Sequence, residues 1–328
     1  MNHELMHPVG DHGAWSESYY FNFVDPDQQL GMFTRMGFRP GNGWADALHV
    51  VYLEGKRVAF TYGRRDINNN LSQYDGDLNV GDLTIRCIEP HQNWQIAYQG
   101  PAQDIADAEI LLERSKARPD GWFTPAELAM DLQFECLTQP HYSGLDDARG
   151  HFEQSGRVTG SIVLGDDRWQ VSGYGVRDKS WGPRDWGASD RQSMPKSSDA
   201  SGPAPFVNWF SMNFGEHAAL GGSCFRHADG LMRGEGWLQR DGVSLALSDV
   251  TIETRYRAGS IIHTDVALQA LTSEGESIEI TGKVFSVCPT KVPMPGGATF
   301  INEGLTEFRW GERTGYGIAE HWHAVSLG

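Results

Sequence analysis

The sequence lacks the patterns that mark several common classes of functional site. Its four cysteines are widely spaced and form no Cys-x-x-Cys pair, which excludes a zinc ribbon or a thioredoxin-type site in its usual form. It has no phosphate-binding loop and no Gly-x-Ser-x-Gly nucleophile elbow, and the glycines at 41 and 43 lack the rest of a dinucleotide-binding turn. We therefore expect free, mostly buried thiols, no cofactor and no serine-hydrolase chemistry.

Positive charge is also scarce. The chain has 27 Lys and Arg against 43 Asp and Glu, a net charge of −16. Such a protein repels phosphate backbones and anionic lipid headgroups, so nucleic acid and membrane surfaces are not expected partners. The first residues contain neither a basic nor an apolar run, and no stretch has the length of a membrane span. We expect a cytoplasmic protein.

The twelve histidines do not by themselves predict a metal site. His321 and His323 would place two imidazoles on one strand face, but no third ligand follows at a recognisable spacing. We therefore expect structural or surface histidines and no bound metal.

Glycine and aromatic residues, in contrast, are abundant, with 39 glycines and 11 tryptophans. The segment from Trp15 to Phe23 alternates aromatic and polar residues, which predicts a strand with Glu17 and Tyr19 on one face. Comparable segments recur along the chain, about eight of them in its second half. A helical period interrupts them over residues 102–117, where one short helix is expected. The pattern predicts an all-β fold with at most one or two short helices.

A chain of 328 residues is long enough for two domains. The turn-rich stretch from Pro140 to Asp147 interrupts the strand rhythm and is the predicted boundary, which gives domains of residues 1–145 and 146–328. Residues 188–205 are rich in Ser, Asp, Pro and Gly, a composition that predicts a mobile loop and a lid at a cavity mouth.

One stretch, from Gly173 to Gly187, concentrates charged and indole side chains. Two Arg-Asp pairs, at 177–178 and 184–185, lie seven residues apart, and a tryptophan follows each pair closely. Arginine beside aspartate allows charge-assisted hydrogen bonds that hold a carboxylate at a fixed angle. The stretch therefore predicts a rigid polar cluster walled by indoles. A structural corner that ties one sheet to another accounts for the residue types equally well.

Carboxylates beside guanidinium and indole groups suit acid–base chemistry in an aromatic pocket. Arginine keeps one carboxyl ionised while an apolar setting raises the pKa of another, and indole faces stabilise a carbocation. Hydration, dehydration, isomerisation or cyclisation of an apolar molecule is expected. The candidate catalytic residues are Asp178, Asp185, Arg184, Glu153, Glu17 and His323. The candidate substrate-binding residues are Trp181, Trp186, Tyr19, Trp209, Tyr174 and Asn213.

This stretch resembles the lipocalin-related superfamily that contains the carotenoid 1,2-hydratases and AttH-like proteins. The likeness is carried by Phe152-Glu153-Gln154, Gly160, Gly173-Tyr174-Gly175, Arg177 to Trp186, and Phe210 to Gly215. The resemblance implies two lipocalin-like antiparallel β-barrel or sandwich domains with an apolar ligand cavity. It also implies a cofactor-independent lyase or isomerase that acts on a hydrophobic isoprenoid, steroid or aromatic small molecule.

Two other functional classes stay open. A non-catalytic carrier of a hydrophobic ligand would have the same pocket without a buried carboxylate, and a partner-binding module would instead expose an apolar patch. The density of polar groups within an otherwise apolar design favours the enzyme. A hydrophobic small molecule is the expected partner, and a homodimer is left open.

Overall fold

A computed structural model describes residues 2–9, 13–146, 148–184, 186–187, 192–193 and 202–326. Over these residues the protein is all-β, as predicted, and its helices are short 3-10 turns. The helical period of residues 102–117 corresponds to two such turns, Ala108–Leu112 and Ser115–Ala117, which follow directly on a long strand. Two more turns are Pro40–Asn42 and Leu71–Tyr74.

The strands of the first sheet come from the first 183 residues. They are β1 (Trp15–Asp25), β2 (Leu30–Arg39), β3 (Trp44–Tyr52), β4 (Val58–Asp66), β5 (Asp77–Val80), β6 (Leu83–Glu89), β7 (Asn93–Ile105), β8 (Thr124–Cys136), β9 (His141–Ser143), β10 (Gly150–Leu164) and β11 (Asp167–Pro183). Eight of them pair in the order β4-β3-β2-β1-β11-β10-β8-β7, and β7 pairs back to β4, which closes an antiparallel barrel. Strands β6 and β5 continue from β7, and β9 pairs with β10.

The second sheet uses the remaining strands. They are β12 (Gln192–Ser193), β13 (Val207–Asn213), β14 (Ala218–Arg226), β15 (Met232–Arg240), β16 (Val243–Tyr256), β17 (His263–Thr272), β18 (Ser277–Met294), β19 (Gly297–Trp310) and β20 (Arg313–Ser326). Their order is β12-β20-β13-β14-β15-β16-β17-β18-β19. Because β19 also pairs with β20, this sheet returns on itself.

The chain forms two compact units, one of residues 1–106 and 121–184 and the other of residues 107–120 and 185–328. The boundary predicted between residues 145 and 146 lies within the first unit. Strands β10 and β11 follow that boundary in sequence, but they pair with β8 and β1 and so complete the first barrel. A turn-rich stretch interrupts the strand rhythm whether or not the next strand joins the same sheet.

The hydrophobic pattern of the strands explains how the first barrel is filled. In β8, Leu128, Met130, Leu132 and Phe134 are buried and alternate with more exposed residues, as a strand with one face on a core requires. Strand β1 differs, because all eleven of its residues are buried. Both faces of the barrel wall are therefore shielded from water where β1 pairs with β11.

Two further expectations concern cysteines and membranes. The four cysteines are free, and two of them, Cys224 and Cys288, are fully buried. A search of the described residues found no helix with the length and apolar character needed to cross a membrane.

Candidate functional site

The charged end of β11 presents its side chains alternately to two sides of the barrel wall. Trp181 belongs to the core cluster inside the barrel, and Arg177 packs its guanidinium 4.7 Å from the ring of the core residue Trp94. Asp178 points the opposite way, because successive residues of a strand alternate in direction. The side chains of Asp178 and Trp181 therefore lie on opposite faces of one strand, so the indole of Trp181 does not line the side of Asp178.

On the outer face, an imidazole lies between two carboxylates. His151 Nε2 is 2.8 Å from an oxygen of Glu153, and His151 Nδ1 is 3.1 Å from an oxygen of Asp178. Glu153 and Asp178 are directly paired across β10 and β11, while His151 precedes Glu153 by two residues and so shares its face. These three residues are called the His151 cluster below.

The environment of the His151 cluster shifts its proton affinities. Burial alone would lower the pKa of His151, but the negative charges of Asp178 and Glu153 outweigh it and raise that pKa to about 9. Burial also raises the pKa of Asp178, and the charge of Glu153 adds to this effect while that of His151 opposes it. At neutral pH the imidazole is therefore a cation, beside a carboxyl group that binds a proton more readily than usual.

Arg184 lies close enough to the His151 cluster for its charge to act on it. Its guanidinium donates a hydrogen bond to Ser180 Oγ at 3.1 Å, and Ser180 is 3.0 Å from Ser18 Oγ on β1. The positive charge of Arg184 lowers the pKa of both Asp178 and His151. It therefore limits how far burial can raise the proton affinity of the cluster.

On the inner face, Glu17 is fully buried and is not part of the His151 cluster. Its carboxylate accepts hydrogen bonds from Lys179 Nζ and from the backbone and Nδ1 of His7, the latter at 2.9 Å. Burial opposes ionisation of Glu17, but Lys179 and His7 outweigh it and hold the pKa of this carboxyl below its usual value. The arrangement is a compensated ion pair.

A second buried ion pair lies on the same inner face. Arg177 donates two hydrogen bonds to the carboxylate of Glu4, at 2.9 and 2.6 Å, and the backbone N–H of His91 donates a third at 2.8 Å. Tyr19 donates its hydroxyl to the carbonyl of Glu4 at 2.8 Å. The segment of residues 2–9 thus supplies Glu4 as the partner of Arg177 and His7 as a partner of Glu17.

The inner aromatic residues predicted to bind substrate contact the same segment. Trp181 stacks on His7 with a centroid distance of 3.9 Å and on His3 at 5.0 Å. Tyr19 is 1% exposed. In this structure both rings pack against the protein's own chain, and their role in substrate binding stays a prediction.

The other predicted residues are distributed over both units, and Asp185 and most of the predicted lid at 188–205 lie outside the described residues. Tyr174 is half-buried on β11. In the second unit, Trp186 stacks on Trp322 at 5.6 Å, Trp209 and Asn213 are buried on β13, and His323 is buried on β20.

The His151 cluster is also where a cation would find ligands. Within the described part of the chain, it is the one group of three histidine, cysteine or carboxylate side chains whose ligand atoms lie within 4.8 Å of one another. Both ring nitrogens of His151 already face carboxylates, so an ion would have to replace one of these contacts. Sequence reasoning overlooked His151, although its position two residues before Glu153 on a strand places both on one face.

The chain belongs to the family described as a domain of unknown function, DUF7064, whose model matches residues 1–325. No curated protein matches it.

Solved structures share its fold over nearly the whole chain. A protein assigned as AttH from Nitrosomonas europaea has a TM-score of 0.56 at 14% identity and covers 98% of this chain and 97% of its own. CghA, solved with Sch210972, has a TM-score of 0.57 at 12% identity, with 96% and 90% covered. Kievitone hydratase from Nectria haematococca has a TM-score of 0.54 at 10% identity, with 99% and 93% covered. At these identities the likeness shows a shared fold, and that fold is the one implied by the resemblance to AttH-like proteins.

Proposed function

We propose that this DUF7064 member is a cofactor-independent lyase or isomerase of the hydratase, dehydratase or cyclase type. The observation that supports it is the imidazole of His151 held between the carboxyl groups of Glu153 and Asp178. Perturbed proton affinities in a shielded cluster are typical of acid–base sites. The name of one structural neighbour, kievitone hydratase, adds support for the addition or removal of water on this fold.

The His151 cluster can both give and take one proton. In a hydration, it would transfer its proton to a carbon of a double bond and leave a carbocation. Water would then add to the cation, and the proton released by that water would return to the vacated carboxylate or imidazole. The atoms balance as substrate plus water, and the cluster ends as it began.

A hydrophobic isoprenoid, steroid or aromatic molecule is the proposed substrate class. An apolar molecule carries no charge, so its binding adds no charge that would shift the pKa values of His151, Glu153 and Asp178. A non-catalytic carrier needs no such cluster, and its presence favours the enzyme.

The test begins with a strain that lacks the gene and with the apolar metabolites that accumulate in it. Each accumulated compound is given to the purified protein in water enriched in oxygen-18, and the products are analysed by mass spectrometry. A hydratase adds one labelled oxygen to the compound, a dehydratase gives an unlabelled product lighter by one water, and a cyclase changes the compound without a change of mass. Asp178→Asn keeps the shape of the side chain and removes its ionisable proton, so turnover should fall by about 100-fold or more.

Asp104→Asn is the matched control, because Asp104 belongs to a partly exposed ion pair with Arg57 in the same unit. It should retain turnover. A folded Asp178→Asn protein with unchanged turnover would contradict the proposal. A variant that melts far below the wild type would instead assign Asp178 a structural role.

A further inference from the structure

The His151 cluster has the composition of a metal site as well as that of an acid–base site. One ligand atom each from His151, Glu153 and Asp178 lie within 4.8 Å of one another. Glu153 and Asp178 are a cross-strand pair of β10 and β11, and His151 precedes Glu153 by two residues on the same strand. The pairing of two strands, rather than a flexible loop, therefore brings the three ligands together.

The separations within the cluster suit a small ion. A zinc ion lies about 2.0–2.2 Å from an imidazole nitrogen or a carboxylate oxygen, so two of its ligand atoms are roughly 3.3 Å apart in a tetrahedral site. His151 Nε2 is 2.8 Å from an oxygen of Glu153, and its Nδ1 is 3.1 Å from an oxygen of Asp178. An ion that replaces the proton of either contact has to part the two atoms by roughly half an ångström or less. A change in side-chain torsion angles then brings the second carboxylate to the ion.

The charges of the cluster also suit a divalent cation. With a neutral imidazole, the carboxylates of Glu153 and Asp178 carry two negative charges in a largely buried position, which an ion of charge +2 balances. The positive charges of Arg184 and Arg35 act on Asp178 and weaken this attraction. The site therefore favours an ion that gains a strong bond from an imidazole over one that is held by charge alone.

The ligand types select a class of ion. Imidazole nitrogen is a good ligand for zinc, copper, iron and nickel, whereas magnesium and calcium prefer oxygen ligands alone. His141 on β9 is the cross-strand partner of Glu153, so the same face of the sheet carries a second imidazole. The side chain of His151 is 26% exposed, which gives an ion access from solvent. A transition-metal ion therefore fits better than magnesium or calcium.

We propose that the His151 cluster is a binding site for a divalent transition-metal ion, such as zinc, with His151, Glu153 and Asp178 as its ligands. A ring nitrogen binds the ion only after it has lost its proton, so one proton is released to solvent for each ion bound to the protonated cluster. A bound ion occupies the lone pairs that would take up a proton, so it inhibits the proposed reaction and is not a cofactor of it. The inhibition rests on the proposed function, whereas the binding does not.

The test is a titration of the purified full-length protein with cobalt(II), followed by zinc. Cobalt(II) bound by nitrogen and oxygen ligands absorbs visible light, and zinc should displace it and remove the absorption. We expect one cobalt ion for each chain and hyperfine shifts of the ring protons of His151 in the proton NMR spectrum. His91 is the internal control, because its Nδ1 also lies 3.0 Å from a carboxylate oxygen, that of Glu4, whose charge Arg177 balances. The ring signals of His91 should stay in place.

Two variants assign the ion to its ligands. His151→Gln should weaken cobalt binding by more than about 100-fold, because loss even of a group that only orients a metal ligand costs roughly 10- to 100-fold. His91→Gln should leave the binding unchanged. No visible absorption at millimolar cobalt, or equal binding in His151→Gln and the wild type, would overturn the proposal.

The wild-type spectra decide the question even if His151→Gln fails to fold, because hyperfine shifts that spare His151 would also overturn the proposal. The measurement needs no substrate. A protein that binds one cobalt ion through His151 but shows no turnover would contradict the proposed function and support the metal site. Turnover without cobalt binding would do the reverse.

Discussion

The buried pair of Glu4 and Arg177 allows a quantitative prediction about stability. Burial alone would raise the pKa of Glu4, but its hydrogen bond with His91 and the charge of Arg177 outweigh it and lower the pKa from 4.5 to about 2. One pKa unit corresponds to about 1.4 kcal/mol. The ionised carboxylate of Glu4 therefore stabilises the fold by about 3 kcal/mol at neutral pH. Glu4→Gln, which leaves Arg177 buried without a counter-charge, should lose about that amount.

The same shift predicts how stability depends on pH. Because the pKa of Glu4 is lower in the folded than in the unfolded protein, its contribution is complete above about pH 5 and is lost as the pH falls toward 2. The Glu4→Gln variant should lack this part of the acid dependence. Urea unfolding at pH 7 and at pH 3, followed by tryptophan fluorescence, measures both quantities.

A matched ion pair provides the control. Arg57 and Asp104 in the same unit also form a two-point contact, at 2.8 Å for each hydrogen bond, but the Arg57 side chain is 37% exposed. Asp104→Asn should therefore cost at most about 1 kcal/mol. Equal losses in the two variants, or an unchanged acid dependence in Glu4→Gln, would refute the reasoning that burial gives the inner pair its strength.

Three further predictions concern the same unit. The double variant Glu17→Gln with Lys179→Met should unfold at a higher urea concentration than either single variant, because each single change leaves one buried group without its partner. Gly175→Ala should destabilise strongly in thermal melts, since a Cβ would lie 1.7 Å from a backbone carbonyl oxygen, whereas Gly13→Ala, with no atom within 4 Å, should not. The stability that His151 contributes should be complete below about pH 6.5 and lost as pH rises through 9, because its pKa is raised in the folded protein. In His151→Gln, the free energy of unfolding should therefore decrease less between pH 6.5 and pH 9 than in the wild type.

The strands and the all-β class could be predicted because they rest on local alternation. The alternation of apolar and polar residues along β8 can be recognised from the local sequence alone. It places four apolar residues on one face of the strand, namely Leu128, Met130, Leu132 and Phe134. That period also places Asp178 and Trp181 on opposite faces of a strand, a consequence that reading the stretch as one cluster overlooked. Charged residues that are close in the sequence were predicted to form one cluster. This was not justified, because consecutive side chains of a strand point to opposite faces.

The partners of the inner charges could not be predicted in this way. Glu4 meets Arg177 across 173 residues, and Lys179 meets Glu17 across 162. Such contacts depend on which strands become neighbours when the barrel closes, and no local pattern specifies that order. The same limit applies to the domain boundary, because a break in rhythm does not say which sheet the next strand joins.

Two interpretations of the Arg-Asp stretch, a structural role and a catalytic role, each apply to one side of β11. On the inner side, Arg177 and Lys179 each have a carboxylate partner, so a change of protonation there would leave a buried charge uncompensated and cost several kcal/mol. On the outer side, His151 lies between two carboxylates, and burial together with the charge of Glu153 raises the pKa of Asp178. Burial and the charge of Glu153 favour uptake of a proton by Asp178, whereas uptake of a proton by Glu4 or Glu17 would leave Arg177 or Lys179 without its counter-charge. If β11 supports proton transfer, it therefore does so on the side of Asp178, and substitutions of Arg177 or Lys179 should act through stability alone.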